Sequence, residues 1–331
     1  MNAQARIFVA GGATLLGSAL RRRLVAQGFG NLVGVGPQEP CLADAGALDQ
    51  FLAASRPDYV FVAGGPSGGI AANQRRPAEL MRENLLVATN TLEGARRHGV
   101  RKLLYLASAC TYPRLCPQPM QEDALTSGPL EPTNEAYATA KLAGIVLCKA
   151  YRQQYGAPFI SAIPTNAFGP GDDFRPEEGH VIASLLARLH AAKTASQEAV
   201  TIWGSGRPRR EFLYADDVAD ACLVVMERYE DPTPINLAGG VDLSIAELAT
   251  LIAEVVGFTG RIVFDTSRPD GMPLKRLDAS RLQALGWRPR TPFRTALEET
   301  YRSYATPHAS QRCPDGSASV SGVGSRGEAL R

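Results

Sequence analysis

Long apolar runs are missing from this chain of 331 residues. No stretch approaches the ~18 consecutive apolar residues that a membrane-spanning helix requires, so no membrane partner is expected. An excess of either charge is missing too. The 35 Lys and Arg against 33 Asp and Glu leave a formal net charge of +2, too little to hold a polyanion by charge alone, and no nucleic-acid partner is expected. Cysteine is sparse: Cys41, Cys110, Cys116, Cys148, Cys222 and Cys313 fall at irregular spacings without a CxxC pair. That pattern is neither a zinc framework nor a secreted disulfide scaffold; it predicts no metal centre and a reducing compartment, the cytoplasm. The first strand signal lies within the first ten residues, which leaves no room for a cleaved leader. The run Arg21-Arg22-Arg23 reads as a solvated helix face.

What is present is ordinary for a globular protein: 45% hydrophobic and 21% charged residues, in a length that suits one large α/β unit or a cofactor domain with a smaller lobe. Strand signals at 6–10, 31–35, 58–63, 102–107 and 159–164 alternate with helix signals at 15–27, 45–55, 77–98 and 134–155. The third strand is apolar enough to be buried on both faces. This alternation predicts a Rossmann-like, doubly wound parallel sheet. Beyond Pro164 the regularity breaks down. Helices at 180–192 and 216–229 and a strand at 200–203 precede a smaller mixed unit at 235–237, 244–256 and 261–264. The expected division is a dinucleotide domain over 1–170 with parts of 200–240, a mixed α/β substrate lobe over 171–304, and a disordered tail over 305–331, rich in Ser, Gly and Pro.

Gly11-Gly12-Ala13-Thr14-Leu15-Leu16-Gly17 joins the first strand to the first helix. Early glycines allow a tight turn and close backbone approach to a pyrophosphate, the last lets helix pack on strand, and the helix end offers oriented N–H groups. After the second strand an acidic residue would take the ribose hydroxyl of NAD and a base the 2′-phosphate of NADP. The chain reads Val33-Gly34-Val35-Gly36-Pro37-Gln38-Glu39-Pro40 there, with no base and only a late Glu39, and by itself leaves NAD and NADP open.

Ser108 directly follows the fourth strand, at the edge where such sheets place their ligands. Tyr137 and Lys141 are one helical turn apart and face the same way. A phenol is a poor acid or base at neutral pH, and a nearby ammonium draws it toward the working range. A Tyr-x-x-x-Lys pair alone is a common accident; behind a glycine loop and a strand-end Ser it points to carbonyl reduction.

Several segments then resemble, in order, the GDP-L-fucose synthases, GDP-4-keto-6-deoxy-D-mannose 3,5-epimerase-4-reductases of the extended short-chain dehydrogenase/reductase type. They are Ala107-Ser108-Ala109-Cys110-Thr111-Tyr112-Pro113, Gln118-Pro119-Met120, Leu130-Glu131-Pro132-Thr133-Asn134-Glu135-Ala136-Tyr137, Pro164-Thr165-Asn166-Ala167-Phe168-Gly169-Pro170, Gly179-His180-Val181-Ile182, Trp203-Gly204-Ser205-Gly206-Arg207-Pro208-Arg209-Arg210-Glu211-Phe212 and Arg268-Pro269-Asp270-Gly271. The resemblance covers about 5–304 and is densest over 104–217. It implies epimerisation at C3 and C5 and reduction at C4 of a GDP-linked keto sugar, with NADP(H) as cofactor, NAD(H) not excluded, and a homodimer. By the same resemblance Cys110 and His180 form the acid–base pair beside Ser108, Tyr137 and Lys141. Read alone they would be a small core residue and a helix cap. The cofactor would also meet Leu106, Ala107, Ser108, Ala109, Lys141, Pro164, Thr165, Asn166, Ala167 and His180, and the nucleotide sugar Asn166, Arg188, Trp203, Arg210, Asp270 and Lys275. Bacterial relatives often carry Arg in the glycine loop and after the second strand, where this chain has Ala13-Thr14 and Val35-Gly36-Pro37; Gly64-Gly65-Pro66-Ser67 also departs from the pattern. Two other readings stay open: another GDP-keto-sugar as substrate, and a dinucleotide-binding protein without turnover.

Overall fold

The computed structural model describes residues 1–306 apart from Pro269 and Gly271; the expected tail lies almost wholly outside them. In chain order the elements are β1 (Ile7–Ala10), α1 (Leu15–Ala26), β2 (Leu32–Val33), α2 (Ala45–Ser55), β3 (Tyr59–Val62), α3 (Ile70–Arg75), α4 (Pro77–Arg97), β4 (Lys102–Leu106), α5 (Glu135–Tyr155) and β5 (Phe159–Pro164). They continue with β6 (Asn166–Phe168), α6 (Val181–Thr194), β7 (Ala199–Trp203), β8 (Arg209–Tyr214), α7 (Ala215–Arg228), β9 (Ile235–Leu237), β10 (Val241–Ser244), α8 (Ile245–Val256), β11 (Arg261–Asp265), β12 (Leu274–Lys275), α9 (Ser280–Ala284) and α10 (Phe293–Ala305).

The six parallel strands β2-β1-β3-β4-β5-β9 form the central sheet. β1, β4 and β5 are buried along their whole length, as strands covered on both faces must be. α1 and α7 pack one face around Leu20, Leu24, Phe61 and Met226. α2, α4 and α5 pack the other around Phe8, Leu52, Tyr105 and Phe159. The order reverses between β1 and β3, and ligands of open α/β sheets bind in the crevice beyond the carboxyl ends at such a point. Two glycines close it: a Cβ on Gly11, itself at φ +84°, would lie 2.3 Å from the Cα of Gly64.

Past β5 a second layer packs α6, α8 and α10 against a small sheet in which β8 pairs with β6, β10 and β12. A separate pair, β7 with β11, completes this lobe.

Three expectations are corrected. The second strand is two residues long, because Gly34 at φ +68° turns the chain where a Cβ would strike the rings of Phe51 and Phe8. Residues 235–237 are no part of the smaller unit; as β9 they complete the central sheet beside β5. Arg21-Arg22-Arg23 is a solvated face only at Arg22. Arg23 pairs with Asp220 and Arg22 with Asp216, both on α7, while Arg21 turns inward to the glycine loop.

Candidate active site

Thr14 caps α1, its hydroxyl accepting the N–H of Gly17 at 3.1 Å. A Cβ on Gly17 would lie 2.0 Å from the carbonyl oxygen of Gly11, so helix and loop pack as closely as glycine permits. The first turn of α1 carries no acidic residue, and its partial positive charge is left for an anionic ligand. Loop and helix end thus fit a dinucleotide pyrophosphate.

Glu39 is the unexpected member. Its carboxylate accepts the N–H groups of Gly11 and Gly12 and pairs with Arg21 at 3.1 Å, while Arg21 also donates to the Gly34 carbonyl at 2.9 Å. Arg21 is the base that the loop after β2 lacks; it reaches the strand end from α1. It lies one turn beyond Gly17, on the helix face already committed to the loop, and that i,i+4 spacing is the signal from which it could have been read.

At the end of β4 the chain turns at Ser108, whose hydroxyl accepts the N–H of Cys110 at 3.2 Å and starts the 3-10 turn Ala109–Thr111. The turn is anchored two residues later. Buried Tyr112 donates to Asn236 on β9 at 2.7 Å, and Asn236 in turn donates to the carbonyls of Met120 and Asp278. Cys110 is therefore fixed by the sheet itself. Its sulfur accepts from Asn134 Nδ2 at 3.2 Å and faces Lys275 Nζ at 3.4 Å. Burial raises the thiol's pKa, but Lys275, Ser108 and Asn134 outweigh it, and the group lies below an ordinary cysteine.

Tyr137, three residues beyond Asn134, faces the same place. Burial and the adjacent Cys110 push its phenol well up, against a hydrogen bond from Ser108. Lys141 is 6% exposed, and its ammonium turns to the carbonyls of Leu106 (3.3 Å) and Gly64 (3.4 Å) at the ends of β4 and β3. Desolvation lowers it to about 8. The one-turn spacing led to the expectation that Lys141 would draw Tyr137 toward neutrality. Here the phenol is raised instead, by burial and Cys110, and the ammonium donates to the strand-end carbonyls.

His180 stands at the N-terminus of α6, open to solvent in the cleft yet crowded by protein. Desolvation lowers its pKa; Asp173 opposes this and Lys275 adds to it. Lys275 thus faces both Cys110 and His180. Arg210, opposite Lys275 in the β8–β12 register, donates to the carbonyls of Met272 and Arg209 and senses the charges of Cys110 and Asp270. Asp270 is tied to the N–H and hydroxyl of Ser205. Trp203 is 61% exposed, with the guanidinium of Arg268 5.0 Å from its ring centre. Arg188 donates to the Thr201 carbonyl beside β7, and Asn166 donates to the carbonyl of Glu211 at 2.7 Å. Ser108, Cys110 and Tyr137 thus meet at the end of β4, with Lys275 and Arg210 of the second lobe beside the thiol and His180 beside Lys275. Trp203, Arg188 and Asp270 sit farther out on the second lobe. Sequence reasoning missed Asn134, Glu39 and Arg21.

Residues 7–238 match the NAD dependent epimerase/dehydratase family. The putative GDP-L-fucose synthase 2 of Arabidopsis thaliana is 48% identical over 300 residues, covering 91% of this chain and 92% of that protein. The GDP-L-fucose synthase of Escherichia coli is 45% identical over 306 residues, covering 90% and 95%. Among solved structures, a GDP-L-fucose synthetase from Naegleria fowleri bound to NADP superposes with a TM-score of 0.84 at 31% identity, over 92% of this chain and 95% of that one.

Proposed function

Because the chain belongs to the NAD dependent epimerase/dehydratase family, among the GDP-L-fucose synthases, we propose that it converts GDP-4-keto-6-deoxy-D-mannose to GDP-L-fucose by epimerisation at C3 and C5 and reduction at C4. The observation that carries this reading is the meeting of Cys110 with Ser108 and Tyr137 at the end of β4. A reductase needs only the last two; an acidified thiol beside them adds proton abstraction.

The C4 ketone acidifies the hydrogens on C3 and C5. Cys110, held toward its charged form, takes one of these protons, and His180, across the cleft, returns one on the other face. Tyr137, whose buried phenol stays protonated, gives its proton to the C4 oxygen, with Ser108 orienting that oxygen. NADPH, when bound, supplies the hydride to C4. Residues 11–17, 106–109, 141 and 164–167 would hold it, with Arg21 the base nearest the loop after β2. Arg188, Trp203, Arg210 and Asp270 would hold the GDP portion, guanidinium groups suiting a diphosphate and the indole a base.

A homodimer in the cytoplasm completes the proposal. The exposed Val146 on α5 supports an apolar contact, the free cysteines of the described residues suit a reducing compartment, and among those residues no helix is long and apolar enough to cross a membrane. The test is incubation of the purified chain with GDP-4-keto-6-deoxymannose and NADPH. NADPH oxidation with GDP-L-fucose in the NMR spectrum is expected. No oxidation overturns the reading, and a product inverted at fewer carbons moves it to another GDP-keto-sugar.

A further inference from the structure

We propose that Lys275, together with Asn134, holds Cys110 as the anionic base of this site, so that the proton-abstracting group is assembled from both lobes. This rests on the epimerase reading above, and it makes Lys275 a positioning residue rather than a ligand of the nucleotide.

Two donors converge on the sulfur, Asn134 Nδ2 at 3.2 Å and Lys275 Nζ at 3.4 Å. Neither atom accepts a hydrogen bond. A thiol is a weak acceptor, whereas a thiolate suits two donors, one of them cationic.

The small sheet supplies an independent observation. Lys275 on β12 stands directly opposite Arg210 on β8, and like charges at facing positions destabilise a sheet unless an anion lies between them. Cys110 acts on both, while Asp270 and Glu131 add negative charge at Arg210 alone. The charged groups facing the sulfur are accounted for by element: Lys275 from β12, Arg210 from β8 and Tyr137 from α5. His180, at the head of α6, faces Lys275 in turn. Both guanidinium and ammonium favour the thiolate. The phenol is the one group that competes for negative charge, and the sulfur keeps it protonated. A charged Cys110 therefore does two things: it removes the carbon-bound proton, and it preserves the proton that Tyr137 later gives to C4. When the sulfur takes up a proton, that restraint on the phenol is lifted.

The experiment follows alkylation of Cys110 by iodoacetamide against pH in the full chain, by peptide mass, with exposed Cys41 as an internal reference. The wild-type midpoint for Cys110 is expected below that of Cys41. In Lys275→Met it is expected to rise past Cys41, with alkylation at pH 7 slowed about tenfold or more, and Lys275→Arg is expected to restore it in part. Exchange of deuterium from solvent into C3 and C5 of the keto sugar, without NADPH, is expected to slow in parallel at pH 7 and to recover as the pH is raised. An unchanged midpoint in Lys275→Met overturns the proposal. So does a rise in KM for the sugar with no movement of the midpoint, which would make Lys275 a substrate ligand only. If Lys275→Met fails to fold, Asn134→Ala must still raise the midpoint by a smaller amount, and no rise there overturns the proposal equally. If the keto sugar is not a substrate, only the exchange arm falls silent. The alkylation arm still decides the state of Cys110, so the two failures are distinguishable.

Discussion

Lys141 carries a thermodynamic signature that a single variant can read. Its ammonium is buried against two carbonyls and titrates at about 8 instead of 10.5. In the unfolded chain it binds its proton up to the higher value. Between these two pH values the unfolded state therefore holds more protons, and stability rises with pH. Below about 8 the charged, desolvated ammonium costs the fold about 3 kcal/mol relative to the neutral amine, a cost relieved as pH rises toward 10.5. Urea unfolding of the wild type and Lys141→Met at a series of pH values should show a slope in the difference confined to that window. A flat difference would mean that Lys141 titrates normally. Cys110 makes a kinetic prediction at the same scale. In Cys110→Ser, solvent exchange at C3 and C5 should fall by about a thousandfold, the scale of a lost general base. Reduction of an already epimerised sugar should fall far less. Equal losses in both assays would remove the division of labour between Cys110 and Tyr137.

Elements decide what single residues cannot, and the loop after β2 shows this best. It contributes Glu39 to the amides of Gly11 and Gly12, and α1 contributes the compensating Arg21. A second base in the exposed turn Gly36–Gln38 would meet a 2′-phosphate without disturbing that pair. Pro37→Arg is expected to lower KM for NADPH by about tenfold, as a charge-assisted contact should, and to leave NADH nearly unchanged. Equal gains for both cofactors would place the adenosine ribose elsewhere. β8 makes the complementary case. Buried Glu211 accepts the N–H groups of Gly239, Gly240 and Leu277, tying β8 to the approaches of β10 and β12. Glu211→Gln replaces one acceptor with a donor facing amides and should cost about 3 kcal/mol in a urea titration.

The sheet, its helices and the residues at its strand ends were legible in the sequence, because buried parallel strands are near-continuous apolar runs and the glycine loop sits where β1 must end. β6, β8, β10 and β12 were not: at two to six residues each, they are defined by partners far away in the chain. Glu211 and Asn236 were hidden for the same reason. Their carboxylate and amide are meaningful only beside backbone groups 28 to 116 residues distant. Asn134 stood as the first residue of a predicted helix; the helix starts one residue later, and its side chain makes no cap bond and goes to Cys110 instead.

For the molecule as a whole, the two lobes offer different ligands different walls of one cleft. The glycine loop, the end of β4 and Lys141 on α5 belong to the first lobe, while Arg188, Trp203 and Asp270 belong to the second lobe. A ligand that binds only the folded state stabilises it by mass action, about 2.7 kcal/mol at a hundredfold excess over Kd. GDP and NADPH should therefore each raise the melting temperature, through different residues. In Arg188→Ala and Trp203→Ala the shift caused by GDP should largely vanish while that caused by NADPH persists. Trp203 is well suited to the test: its ring is exposed and carries the guanidinium of Arg268, so its loss should leave the ligand-free melting temperature nearly unchanged. If both variants keep the full shift with GDP, the nucleotide does not use the second lobe. Cys110 and Lys275 would then have to meet without help from a ligand bridging the two walls.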